Sequence, residues 1–294
     1  MREKITDTIA VAGGGYCVAR WPGPGHPILA VHGITSSHMG WSRVIRSFSG
    51  DHDIYAPDLR GRGNSSLLPS PYGCAQHTAD LIGLMDHYEL PSVIYVGHSL
   101  GAYIGLDLAV AAPSRVRGIV LVDGGIALPT QSTATPEQRI ERILGPALAR
   151  LKEVYPDRET YHRFWQAHPA FQDAGAWNDD VAAFADYDLG GEAPELHSRV
   201  NPDAVLADAY GPMDPGMVNR IDEIELPMLL LTATRGLLNQ PEPLLPSHAV
   251  AAKTAQNKNL QYVKITDTNH YSITLGAGAS RVAEKIESFI AQLN

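Results

Sequence analysis

The stretch Val93-Ile94-Tyr95-Val96-Gly97-His98-Ser99-Leu100-Gly101 begins as an apolar run and stops abruptly in a G-x-S-x-G pattern centred on Ser99. Four consecutive apolar residues bounded by glycine read as a buried strand, and the segment after Gly101 has helical composition. Strand, tight turn and helix therefore follow in that order, which presents Ser99 at the apex of the turn. Gly97 and Gly101 remove the side chains for which a strained serine backbone leaves no room.

Working outward, Thr6–Val11 and Tyr16–Trp21 flank three successive glycines and predict an opening hairpin. Strands are predicted at Ile28–Val31, at Ile54–Ala56 within Asp53–Leu59, and at Val93–Val96, Ile119–Val122, Met228–Thr232 and Leu260–Ile265. Helical patterns fall at 73–88, 99–112, 246–256 and 279–292. Alternation of this kind predicts an α/β fold: a mostly parallel eight-stranded sheet with helices on both faces. One interval breaks it. Residues 126–220 carry helical patterns without a strand, so the core domain is expected at 1–125 and 221–294 with a helical cap inserted between them. Within the insertion, Thr135 is a candidate N-cap for an amphipathic helix from Pro136 to Val154, with Ile140, Ile143, Leu144, Leu148 and Leu151 on its apolar face. Tyr161, Phe164, Trp165, Phe171, Trp177, Phe184, Tyr187 and Tyr210 make the insertion rich in aromatics. An aromatic lid of this sort excludes water from a cleft.

Composition narrows the function. A net charge of −9 without a Lys/Arg-rich run would repel a phosphate backbone, so nucleic acid is not expected as a partner. No stretch approaches the roughly 20 apolar residues of a membrane span, and no membrane role is expected. The first residues lack the apolar core of a signal peptide, and two cysteines, Cys17 and Cys74, are too few for a disulfide framework. A cytoplasmic protein with free thiols is expected, as a monomer or homodimer. No Cys-x-x-Cys or paired-histidine pattern suggests a metal, and Gly13-Gly14-Gly15 lacks the Lys-Ser/Thr of a phosphate loop. The expectation is therefore a small-molecule substrate and no cofactor.

A serine is a poor nucleophile at neutral pH unless a base takes its proton and an acid orients that base. His270 is the candidate base, because it sits on the loop between the last strand and the last helix. With it in place, four ordered motifs resemble the α/β-hydrolase superfamily: Ala30-Val31-His32-Gly33, the Asp58 to Ser65 segment with Arg60 and Arg62, Gly97 to Gly101, and Asn269-His270. The resemblance covers nearly the whole chain outside the insertion. It implies a lid between the sixth and seventh strands. In the commonest family pattern an Asp follows the seventh strand, but here no carboxylate appears after Met228–Thr232 until Glu242. Asp123 ends the sixth strand, where some members carry their acid, and is assigned that role, with Glu242 and Asp267 as alternatives. The resemblance further implies an oxyanion hole from the backbone N–H groups of Ile34 and Leu100. It makes Asp58, Arg60 and Arg62 scaffold.

His32 is expected to brace the loop that carries Ile34, and His32, Trp165, Tyr187 and Tyr271 are the candidate substrate contacts. The implied activity is hydrolysis of a carboxylic ester or lactone, with an apolar or aromatic substrate. Two alternatives stand beside it: cleavage of a C–C bond in a vinylogous diketone by the same triad, and a ligand receptor without turnover. A nucleophilic serine excludes relatives that form an alkyl ester on aspartate.

Overall fold

The computed structural model describes residues 3–128 and 135–293; residues 129–134, inside the expected insertion, fall outside them. Eight strands build the main sheet: β1 Ile5–Val11, β2 Gly14–Trp21, β3 Pro27–Val31, β4 Asp53–Pro57, β5 Val93–His98, β6 Val116–Val122, β7 Met228–Ala233 and β8 Leu260–Ile265. Their spatial order is β1-β2-β4-β3-β5-β6-β7-β8. The pairings of β1 with β2 and of β2 with β4 are antiparallel, and every later pairing is parallel.

The helices are α1 Ser42–Ser47, α2 Cys74–His87, α3 Leu100–Ala111, α4 Pro136–Arg150, α5 Arg158–Ala167, α6 Asp179–Asp188, α7 Pro202–Asp208, α8 Pro215–Asn219, α9 Ser247–Gln256, α10 Ser272–Leu275 and α11 Ala279–Gln292. None among the described residues is long and apolar enough to cross a membrane.

Central strands are buried along their whole length, because helices cover both sheet faces. Period-two alternation sorts their side chains. Leu29, Val31, Val93, Tyr95, Ile119 and Leu121 pack with residues of α2 and α3, whereas Ile28, Ala30, Ile94, Val96, Val120 and Val122 pack with residues of α1 and α11. Each Val, Leu or Ile among them, fully buried, contributes roughly 1.5–3 kcal/mol relative to exposure. That double-sided core fixes where the strand ends lie.

Between β6 and β7 the chain forms a helical layer, α4 to α8. The Thr135 cap forms as expected: its side chain accepts from the Gln138 N–H while Gln138 reciprocates, a capping box. Two apolar clusters support the layer, one around Tyr161, Trp165, Phe171 and Phe184, the other around Ile140, Leu144 and Val205. The sequence pattern predicts no strand here, yet Leu189–Gly190 pairs with His197–Ser198 in an antiparallel ribbon. A two-residue strand is too short to write a period.

Candidate active site

The loops after β3, β5, β6 and β8 converge at the carboxyl edge of the sheet, where open parallel sheets bind ligands. Ser99 sits directly after β5 with φ 54° and ψ −119°, a strained conformation held by its N–H bond to the Val122 carbonyl at 2.9 Å. The glycines around it work by close approach. A Cβ on Gly97 would lie 2.3 Å from the Gly101 carbonyl oxygen, and one on Gly101 would lie 2.3 Å from that of Val31.

Asp123 follows β6 and is fully buried, with φ 48°. One carboxylate oxygen accepts the Ala233 N–H at 3.0 Å, and the other accepts Nδ1–H of His270 at 2.7 Å. Donating through Nδ1 leaves Nε2 of His270 as the basic nitrogen. Asn269 pins the histidine loop: its Oδ1 accepts the N–H groups of Tyr271 and Ser272, and its Nδ2 donates to the Ala170 carbonyl in the helical layer. His98 supports the same loop by donating from Nε2 to the His270 carbonyl at 3.0 Å. Burial, with His270 alongside, holds the His98 pKa well below the usual histidine range. It stays a neutral donor. Glu242 and Asp267 are exposed, and neither lines the cavity described next.

Ser99, Asp123 and His270 all line a cleft of ≈ 900 Å³ including its open mouth. Its wall is mainly aliphatic, with Leu128, Ile143, Leu144, Met213 and Leu275 from the helical layer and the loops beside it. Asp123 is the single carboxylate among the described lining residues, and no Lys or Arg is among them. Ile34 and Leu100 lie on the same wall, and neither backbone N–H has an internal acceptor among the described residues.

Of the four expected substrate contacts, Tyr271 lines the cleft and the other three do not. His32 is buried behind the loop, accepting the Leu59 N–H on Nε2 at 2.9 Å and donating from Nδ1 to the Gly33 carbonyl at 2.7 Å. Burial lowers its pKa to about 3. Trp165 lies inside the helical layer with the Arg150 guanidinium 5.0 Å over its ring. Tyr187 turns to the scaffold and donates to Asp58 at 2.6 Å. Phe184, one turn earlier on α6, takes the place on the cleft wall expected of Tyr187. An aromatic count locates such a helix without giving its rotation. Ile143 and Leu144 were legible as the apolar face of α4, and they reach the cleft.

Arg60 and Arg62 are buried and tie loops together: Arg60 pairs with Asp80 at 2.6 Å, and Arg62 donates to the Ile34 carbonyl at 3.0 Å. Asp58 accepts four donors: the N–H and Nδ1 of His38, the Asn64 N–H and the Tyr187 hydroxyl. Cys17, His38 and Asp58 present ligand atoms within 4.8 Å of one another. Hydrogen bonds already saturate that carboxylate, so the cluster needs no ion to explain it.

Comparisons with known proteins bear on the fold. A family profile described as alpha/beta hydrolase fold matches residues 26–164. The chain is 25% identical over 265 residues to the 3-hydroxybutyrate-oligomer hydrolase of Cupriavidus necator, covering 85% of each. It is 28% identical over 232 residues to the N-formylmaleamate deformylase of Pseudomonas putida, covering 76% of each. A solved E-2-(acetamidomethylene)succinate hydrolase superposes with a TM-score of 0.83 over 98% of this chain and 100% of that one, at 20% identity, a likeness of fold.

Proposed function

The chain is an α/β-fold hydrolase, and from that premise we propose that it cleaves an apolar carboxylic ester or lactone through an acyl-enzyme on Ser99. The observation that carries this is the 2.7 Å pairing of Asp123 with His270 in the cleft that Ser99 also lines. His270 Nε2 takes the Ser99 proton as Oγ bonds to the carbonyl carbon. The oxygen of the tetrahedral intermediate is held by the N–H groups of Ile34 and Leu100. Collapse expels the alcohol, which takes the proton from His270, and a water activated by the same base then releases the acid.

Residues 126–220 act in this reading as the cap that supplies the apolar wall. The relatives' names span an oligomer hydrolase and a deformylase, so the wall has to argue for the bond. C–C cleavage builds a delocalised carbanion that a cation would stabilise, and no Lys or Arg is among the described lining residues. That favours ester or lactone.

The test is hydrolysis of p-nitrophenyl acetate, butyrate and hexanoate with Ser99→Ala as control, together with fluorophosphonate labelling. Turnover and labelling, both lost in Ser99→Ala, are expected. Higher efficiency on a vinylogous diketone than on any ester or lactone would overturn the bond assignment. Tight ligand binding without turnover or labelling would make the chain a receptor.

A further inference from the structure

The N–H of Ile34 belongs to the planar trans peptide that it shares with the Gly33 carbonyl, so the two point in opposite directions. Its aim is set by whatever holds the carbonyls on either side. The Gly33 carbonyl accepts from His32 Nδ1 at 2.7 Å and from the Ser36 N–H at 3.2 Å. The Ile34 carbonyl accepts from Nε of Arg62 at 3.0 Å. This loop is therefore anchored by a guanidinium that is itself fully buried.

A buried cation stays in place only if it is paired. Arg62 Nη1 donates to the Arg60 carbonyl at 2.8 Å and pairs with Asp208 Oδ2 at 2.5 Å. Asp208 is the last residue of α7, in the helical layer, and it is buried as well. It also accepts the Gly73 N–H at 2.6 Å and Nε2 of His77 at 2.9 Å. Burial pushes the Asp208 pKa up, but Arg62 and His77 outweigh it and bring it down to about 2. The carboxylate is ionised wherever the protein is folded near neutral pH.

We propose that Asp208 is a positioning residue for the oxyanion hole: through Arg62 it aims the Ile34 N–H, so the hole is complete only while α7 is docked. This rests on the reading of Ile34 as an oxyanion donor. The cap then does more than wall the cleft: Asp208 on α7 holds the guanidinium that fixes the Ile34 carbonyl.

The test compares Asp208→Asn with the paired variant Arg62→Met/Asp208→Leu, which removes both charges so that neither is left buried alone. Read-outs are kcat and KM on a p-nitrophenyl ester, and affinity for a trifluoromethyl ketone that forms a tetrahedral adduct on Ser99. Full loss of an oxyanion donor costs about 10²–10³ in kcat. Misalignment is expected to lower kcat about 10- to 100-fold in both variants, with KM little changed and ketone affinity falling in parallel. A paired variant that regains wild-type kcat and ketone affinity would reduce the pair to structural support and overturn the proposal. So would Asp208→Asn that folds and keeps both. Persistence of turnover in Ser99→Ala would instead overturn the serine mechanism itself, whatever Asp208 does.

Discussion

Asp123 accepts two hydrogen bonds from opposite sides, one from the Ala233 N–H and one from His270. Exchanging it for asparagine keeps the shape but offers an N–H₂ where His270 needs an acceptor, which favours the wrong imidazole tautomer. Asp123→Asn is expected to lower kcat about 10⁴-fold with KM nearly unchanged. Glu242→Gln, at an exposed position, is expected to leave both within twofold, and steady-state kinetics on one ester separates the two variants. Ser99 and His270 were legible because their immediate neighbours are distinctive, a strand ending in G-x-S-x-G and a loop after the last strand. Asp123 was legible by where carboxylates are missing. His32, Trp165 and Tyr187 were misplaced as substrate contacts, since a side chain's direction depends on partners distant in sequence: Leu59 for His32, Arg150 for Trp165 and Asp58 for Tyr187.

At the scale of elements, the helical layer is organised around charge as much as around apolar contact. Arg150 on α4 pairs with Asp188 on α6 at 2.6 Å and donates to the Tyr161 hydroxyl, while Ser198 also donates to Asp188. All four are buried. Arg150→Met would leave Asp188 without its cation, a change that typically costs about 3–5 kcal/mol. A lower urea midpoint is expected, with altered tryptophan fluorescence from Trp165 under the lost guanidinium. All eight strands of the sheet were legible, the central ones as short apolar runs and the edge ones, Ile5–Val11 and Leu260–Ile265, as mixed strand-like segments in the β/α alternation. The cross-links of this layer were not, because Arg150 and Asp188 are 38 residues apart and each reads as an ordinary surface charge on its own helix.

Across the whole molecule, neutral buried histidines and paired carboxylates set the response to acid. Burial lowers His32 to about 3, and burial with Arg150 nearby lowers His168 to about 4. An unfolded histidine titrates near 6.5, so between that pH and the lowered value the unfolded chain binds the extra proton. The stability these groups contribute is complete above about pH 6.5 and falls as pH drops toward 3 or 4. Below about pH 4, protonation of Asp58 and Asp208, both held below the usual carboxylate range, adds to the loss; for each, burial pushes up and the pairing with His38 or Arg62 wins. The urea midpoint is expected to stay level above about pH 6.5 and to decline from there to pH 4.5, and a midpoint that rose instead would contradict the neutral histidines.

Cys17 and Cys74 are 1% and 5% exposed, and burial, with acidic neighbours, pushes both thiols up to about 12. The thiolate is the nucleophile that attacks a thiol reagent, so two buried thiols held protonated do not react while the fold is intact. Ellman's reagent is expected to count no sulfhydryl in the native protein and two in denaturant. The native chain is in effect a cysteine-free background. A single cysteine placed at Leu67, which is 96% exposed, would accept one fluorophore without any native thiol having to be removed, and the dye would sit on the loop between Arg62 and the start of α2.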